Sequence, residues 1–171
     1  MIFEQLEQMT QDSREHRYFV NVTWRGNPGN GTSNYRSYKR DHTISASGKP
    51  EIAASAEPAF LGDKSRYNPE ELLVGSLSAC HMLWYLHLCA EAGIVVSAYE
   101  DDAKGIMIET SAGGGRFTQV TLYPKVKINA DADEELALQL HERAHQLCFI
   151  ANSVTFPVLC EPAIQLGPDG S

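Results

Sequence analysis

Asn68-Pro69-Glu70-Glu71-Leu72-Leu73-Val74-Gly75-Ser76-Leu77-Ser78-Ala79-Cys80-His81-Met82-Leu83-Trp84-Tyr85 opens the segment of the chain whose local chemistry points most clearly one way. Asn68 can cap a helix, Pro69 suits the first helical position, and Glu71 completes an N-x-x-E capping box. Glu70 and Glu71 both favour the positive end of a helix dipole. From Leu72 to Ala90, 19 residues pass without Asp, Glu, Lys or Arg. The spacing predicts a helix running to about Glu91 and stopping at Gly93. It is apolar around most of its circumference, so it is expected to be central and covered on all sides. Nineteen residues approach the length of a membrane span. Gly75, Ser76, Ser78, His81 and His87 interrupt this one, however, and nothing else in the chain is comparable. The segment reads as the buried helix of a soluble core.

Working outward, Arg17 to Trp24 is rich in β-branched and aromatic residues and reads as a strand, after a tail or short helix at 1–16. Gly26 to Gly31 is a turn cluster. His42–Ser45 and Glu51–Ser55 are short strands. Ile94–Asp101 begins a second β region. Phe117–Asn129 alternates, with Val120, Leu122, Val126 and Ile128 on one face and Pro124 marking an edge or bulge. Asp131 or Asp133 caps a second helix reaching Cys148, and Thr155–Leu166 is a last strand interrupted by Pro157 and Pro162. Strands, long helix, strands, helix, strand is an α+β order, with antiparallel sheet packed on long helices and one domain over 17–171.

The 171 residues suffice for one self-supporting core. At 43% hydrophobic and 21% charged the chain has the composition of a globular protein. Fourteen basic against 22 acidic side chains leave a net charge of −8, which repels nucleic acid and anionic membranes at long range; neither is an expected partner. The N-terminus, Met1 to Glu7, is acidic and lacks the apolar run of a secretory signal. The expected location is the cytoplasm, where Cys80, Cys89, Cys148 and Cys160 would stay reduced and any disulfide would be transient and catalytic.

Taken singly, the cysteines are modest signals. Cys80, mid-helix, gains nothing from a helix N-terminus and needs a nearby cation to ionise. Cys89 lies half a revolution away and is structural. Cys160, in a Pro-bounded strand without a polar partner in its sequence neighbourhood, is also read as structural. Cys148 ends the second helix, where the dipole disfavours a thiolate but tolerates a resolving thiol. His81 adjoins Cys80 but points about 100° away, which makes it a poor activating base. His141, His145 and Cys148 stand at i, i+4 and i+7, a spacing that could hold a metal or serve a hydrolytic site. The same spacing fits a polar helix face.

Taken together, Asn68-Pro69-Glu70-Glu71-Leu72-Leu73, Ser78-Ala79-Cys80 and Cys148-(x)3-Asn152-Ser153 resemble the OsmC/Ohr family of osmotically inducible and organic hydroperoxide resistance proteins, over roughly residues 17–166. Cys80-His81-Met82-Leu83-Trp84 and Cys148-Phe149-Ile150-Ala151-Asn152-Ser153-Val154 indicate a divergent OsmC-like branch. The resemblance implies an intertwined α+β homodimer with antiparallel sheets around two long central helices. It implies a thiol-dependent peroxidase in which Cys80 is peroxidatic, Cys148 resolving, and Glu70 the carboxylate that orients an arginine. The Gly-Gly-Arg-Asp-Gly turn of Ohr members is absent: Gly26-Asn27-Pro28-Gly29-Asn30-Gly31 has no arginine. Arg40 is the preferred substitute and Arg36 the second choice, with Arg66 also available. No bound cofactor or metal is implied; an external dithiol, in the family sometimes a lipoylated protein, completes the cycle.

Glu70 and Cys80 lie ten residues apart, about 15 Å along a continuous helix, too far to share a site within one chain. If both serve one site, as the resemblance implies, either the helix breaks between them, with Gly75 a mild candidate, or Glu70 comes from a second chain. The capping box and unbroken apolar run favour continuity and so predict a site shared by two subunits. Two other functions fit the residues: a metal-binding or hydrolytic protein using His141, His145 and Cys148, and a non-catalytic domain holding a hydrophobic ligand.

Overall fold

The computed structural model describes residues 14–167. The expected tail or short helix at 1–16 falls almost wholly outside these residues. The chain divides into two compact units, one ending at Tyr67 and the other beginning at Asn68.

The first unit holds one antiparallel sheet of three short strands in sequence order: β1 (Asn21–Trp24), β2 (His42–Ser45) and β3 (Ile52–Ala54). The first strand is shorter than its β-branched run suggests. Residues 17–20 form no ladder, and Tyr18, Phe19 and Val20 are exposed. Composition favoured extension there, but no neighbouring strand meets it within this unit. The β1–β2 connection is pinned locally: the Asn27 side chain accepts from the amides of Gly29 and Gly31, and Trp24 Nε1 donates to the Lys39 carbonyl.

The second unit is built on helix α1 (Pro69–Glu91). Its start is the expected capping box: the Asn68 side chain accepts from the Glu71 amide at 2.8 Å, and the Glu71 carboxylate accepts from the Asn68 amide at 3.1 Å. Its end is closed by Gly93, whose φ of 76° is open to glycine at little cost. Leu77, His81, Tyr85 and Cys89 form one buried stripe. Gly75, Ala79, Leu83 and His87, two residues out of phase, form an exposed stripe on the opposite side. Within one chain the helix is therefore covered on one side, not all round as expected. Its uniform apolarity exceeds what that single buried stripe needs. By length and composition α1 could cross a membrane, but its buried stripe carries an imidazole and a phenol, and the neighbouring Ser78 hydroxyl donates to Asp101.

Two three-stranded sheets flank the helices. One has the order β4 (Val96–Asp101), β7 (Pro124–Ile128), β9 (Ala163–Leu166); the other β5 (Lys104–Glu109), β6 (Gly115–Leu122), β8 (Val158–Cys160). The β4–β7 and β5–β6 pairs are antiparallel, whereas β7–β9 and β6–β8 are parallel. The alternating run 117–129 is thus two strands in different sheets, parted at Tyr123, whose amide donates to Asp101 instead of to a ladder. The last run splits likewise between Cys160 and Ala163. Val120, Leu122, Val126 and Ile128 are all buried, as their alternation predicts. Helix α2 (Glu134–Leu147) is capped by Asp133, whose side chain accepts from the Leu136 amide. Together these elements make an α+β fold with antiparallel-rich sheets.

Candidate active site

Helices α1 and α2 pack on each other and between them carry most of the reactive side chains of the second unit. Cys148 is the C-cap of α2. Its φ of −66° is still helical, and only its ψ of 109° turns the following chain away, so its thiol continues the buried face of Ala137, His141 and Ala144. It turns toward α1, where Cys80 lies beside it. Burial, and then the adjacent Cys80 thiol, push Cys148 up to about 11. The Ala151 amide, donating to the sulfur at 3.4 Å, acts in the opposite direction. Cys148 is 1% exposed and Cys80 is half-buried. Cys148 is consequently a protonated, shielded thiol at neutral pH, and of the two sulfurs solvent reaches Cys80 more readily.

The surroundings of this pair are apolar. Trp84, one turn beyond Cys80, meets Phe149, the residue after Cys148, edge-on at 5.7 Å. Leu77 lies wholly in the core, whereas Leu83 sits on the exposed stripe. Glu70 occupies the first turn of α1, and the helix continues through Gly75 without a break. Glu70 and Cys80 of one chain are therefore about 15 Å apart along the axis.

The candidate arginines belong to the first unit. Arg40 is held by its own loop: Nη1 donates to the Tyr38 carbonyl and Nη2 to the Tyr35 carbonyl, and the guanidinium lies 4.3 and 4.2 Å from the ring centres of Tyr35 and Tyr38. Arg36 is exposed, and Arg66 pairs with Asp63 at 3.5 Å.

A second cluster forms on the buried stripe of α1. His81 Nε2 and His141 Nδ1 are 3.0 Å apart. Cys160 Sγ, on β8, is 3.5 Å from the first and 4.0 Å from the second. Tyr85 stacks on the His141 ring at 3.8 Å. Burial is the main cause that pushes His81 down to about 4, with His145 adding to it and Asp101 opposing it. Burial, and then His81, push His141 down to about 3. Burial, Asp101 and Glu161 push Cys160 up to about 12. Two expectations are corrected here. Cys160 is not without polar partners, because the parallel β6–β8 pairing carries it beside Leu122 and over the helices. His141, His145 and Cys148 do not converge: His145 is half-exposed, and Cys148, though buried like His141, lies two helical turns, about 10 Å, beyond it. The pairing of His81 with His141 and Cys160 spans 60 and 79 residues, and no local spacing signals it.

The model of the OsmC-like protein family matches residues 62–162, well over half of the chain. This chain belongs to the OsmC-like family. It is 33% identical to an OsmC-like protein of unknown function from Vibrio cholerae, over 87% of this chain and all of that one, with a TM-score of 0.80. An organic hydroperoxide resistance protein from Elizabethkingia anophelis shares the fold at 20% identity, with a TM-score of 0.62 over 90% of this chain and all of that one. The uncharacterized protein YmaD of Bacillus subtilis is 20% identical over 158 residues, 90% of this chain and 97% of its own. The part of the OsmC-like chain matched by the family model contains Glu70, Cys80, His81, His141, Cys148 and Cys160.

Proposed function

We propose that this OsmC-like protein is a thiol-dependent peroxidase that reduces organic hydroperoxides to alcohols. The observation that carries the reading is the placement of the half-buried Cys80 thiol beside the buried, protonated Cys148 thiol. Family membership and the hydroperoxide-resistance function of a structural relative agree with it. The sulfur of Cys80, as thiolate, attacks the terminal oxygen of ROOH. The O–O bond breaks, RO⁻ takes up a proton and leaves as alcohol, and Cys80 becomes a sulfenic acid. The Cys148 sulfur then displaces hydroxide, which leaves as water with the Cys148 proton, and the Cys80–Cys148 disulfide forms. An external dithiol, such as a lipoyl group, supplies two electrons and two protons to reopen it by exchange.

A thiolate at Cys80 needs a guanidinium nearby, and a carboxylate to hold that guanidinium. Arg40, or failing it Arg36, fills the first role and Glu70 the second. In this proposal Glu70 serves the site of the other subunit of a homodimer, a reading supported by its axial separation from Cys80. The exposed stripe of Gly75, Ala79 and Leu83 on an otherwise apolar helix supports such a partner. Trp84 and Phe149 favour an organic substituent over hydrogen peroxide. The free thiols suit the reducing cytoplasm. Mass spectrometry after one equivalent of cumene hydroperoxide tests the reading: it should find the Cys80–Cys148 bridge, with turnover once a dithiol is added. Equal or better turnover of hydrogen peroxide, or a bridge joining other cysteines, would count against it.

A further inference from the structure

We infer that His81, His141 and Cys160 form a binding site for one borderline-soft divalent metal ion of the zinc class, separate from the Cys80–Cys148 pair. The three donor atoms lie within 4.8 Å of one another. A tetrahedral zinc with bonds of about 2.0 Å to nitrogen and 2.3 Å to sulfur sets its ligands about 3.3 Å apart for N–N and about 3.6 Å for N–S. The observed separations are 3.0, 3.5 and 4.0 Å, so small side-chain shifts complete the geometry. The ligands come from α1, α2 and β8, three elements whose packing fixes the set, and His81 and His141 are 1% and 2% exposed.

Without an ion this arrangement is poorly satisfied. Only one proton fits between His81 Nε2 and His141 Nδ1, so the two inner nitrogens share a single hydrogen bond, which two metal–nitrogen bonds would replace. The outer nitrogens, His81 Nδ1 and His141 Nε2, are buried without a hydrogen-bond partner among the described residues, and burying both imidazoles costs free energy that metal bonds to the inner nitrogens would offset. Asp101, held by Ser78 and the Tyr123 amide, supplies negative charge facing His81 and Cys160. A cation neutralises that charge together with a Cys160 thiolate, whose proton is released to solvent on binding. His141 and Cys160 also line a cleft of about 460 Å³, together with His145 and Glu142. This cleft would give the ion an entry route and room for an exchangeable fourth ligand.

The donor set, two imidazoles and one thiolate, selects zinc or cobalt over magnesium or calcium, which take oxygen ligands. His81 is adjacent to Cys80 in sequence but lies about 100° around the helix from it, so the metal and the redox thiols occupy different faces of α1.

The full chain, reduced, stripped with chelator and titrated with Co²⁺, tests the site. One cobalt per chain is expected, with a thiolate-to-cobalt charge-transfer band, visible bands of tetrahedral intensity, and displacement of both by Zn²⁺. Cys160→Ser should abolish the charge-transfer band, and His141→Gln should weaken binding at least tenfold. The double variant Cys80→Ser/Cys148→Ser should bind as the wild type does, so the result does not depend on the peroxidase reading. Where a variant does not fold, X-ray absorption on the zinc-loaded wild type decides: one sulfur with nitrogen or oxygen neighbours is expected. Failure of the wild type to bind, two sulfurs around the metal, or loss of the band in the Cys80/Cys148 variant instead of Cys160→Ser would overturn the assignment.

Discussion

Cys148 closes helix α2 with its thiol beside that of Cys80 on helix α1, and the two sulfurs differ in kind: one is sealed and held protonated, the other is half-exposed. In the proposed cycle that asymmetry suits Cys80 to attack and Cys148 to resolve, because a thiol pushed up to about 11 contributes little thiolate at neutral pH.

The two single variants should separate these steps. Cys80→Ser should reduce organic hydroperoxide turnover to background. Cys148→Ser should still consume one equivalent of peroxide per chain and stop at a sulfenic acid, trapped by dimedone at Cys80. Dimedone on Cys148 in the Cys80→Ser chain would reverse the order. A Cys80→Ser chain that retains full function would instead indicate a non-catalytic, ligand-binding role.

The capping box of α1 makes a stability prediction. Asn68→Ala removes the acceptor for the Glu71 amide, which should cost about 1 kcal/mol, read as a lower urea midpoint at unchanged slope. Asn68→Ser, which keeps a capping oxygen, should recover most of that loss. An equal loss in both variants would place the role of Asn68 elsewhere.

The same box shows why α1 was legible in the sequence and other parts were not. Asn68, Pro69, Glu71 and Gly93 act within a turn of their own backbone, so their chemistry is local and readable. Strand β5 carries no such mark: Lys104 to Glu109 are all exposed in this chain and do not alternate. The break at Tyr123 was hinted at by Pro124, but the assignment of the two halves to different sheets depends on parallel pairing with β8 and β9. The Cys80–Cys148 pair came from resemblance, because 68 residues separate the two. Helical spacing groups His141 with His145 and Cys148 on one side of the helix, but a shared side does not bring residues two turns apart to a common point. The partners His141 actually has, His81 and Cys160, are brought to it only by tertiary packing.

Those buried imidazoles predict an acid-sensitive fold in chelator-treated protein. Burial holds His81 at about 4 and His141 at about 3, against 6.5 for the ordinary group. The unfolded chain therefore takes up protons first. Stability is fully present above about 6.5 and falls toward about 4 as pH drops, at about 1.4 kcal/mol per pH unit for each histidine that stays neutral. Urea unfolding across this range should show the slope, and His141→Gln should flatten it. A wild-type stability independent of pH over that window would mean that the pair is not excluded from solvent.

The distance between Glu70 and Cys80 gives the most direct test of a shared site. An unbroken helix keeps the two about 15 Å apart along its axis within a chain. If Glu70 serves the partner's Cys80, a mixed dimer of one Cys80→Ser chain and one Glu70→Gln chain holds one intact site: the thiol comes from the second chain and the carboxylate from the first. Each homodimer alone has two defective sites. Co-expression with separable tags, followed by purification of the mixed species, should therefore restore about half of the wild-type turnover per dimer, as one of two independent sites would. If both groups act within one chain, every site in the mixed dimer is defective and no activity returns. Glu70→Asp serves as the control: it keeps the charge on a shorter stem and should retain more activity than Glu70→Gln if the carboxylate orients a guanidinium, and no more if the residue only caps the first turn of the helix.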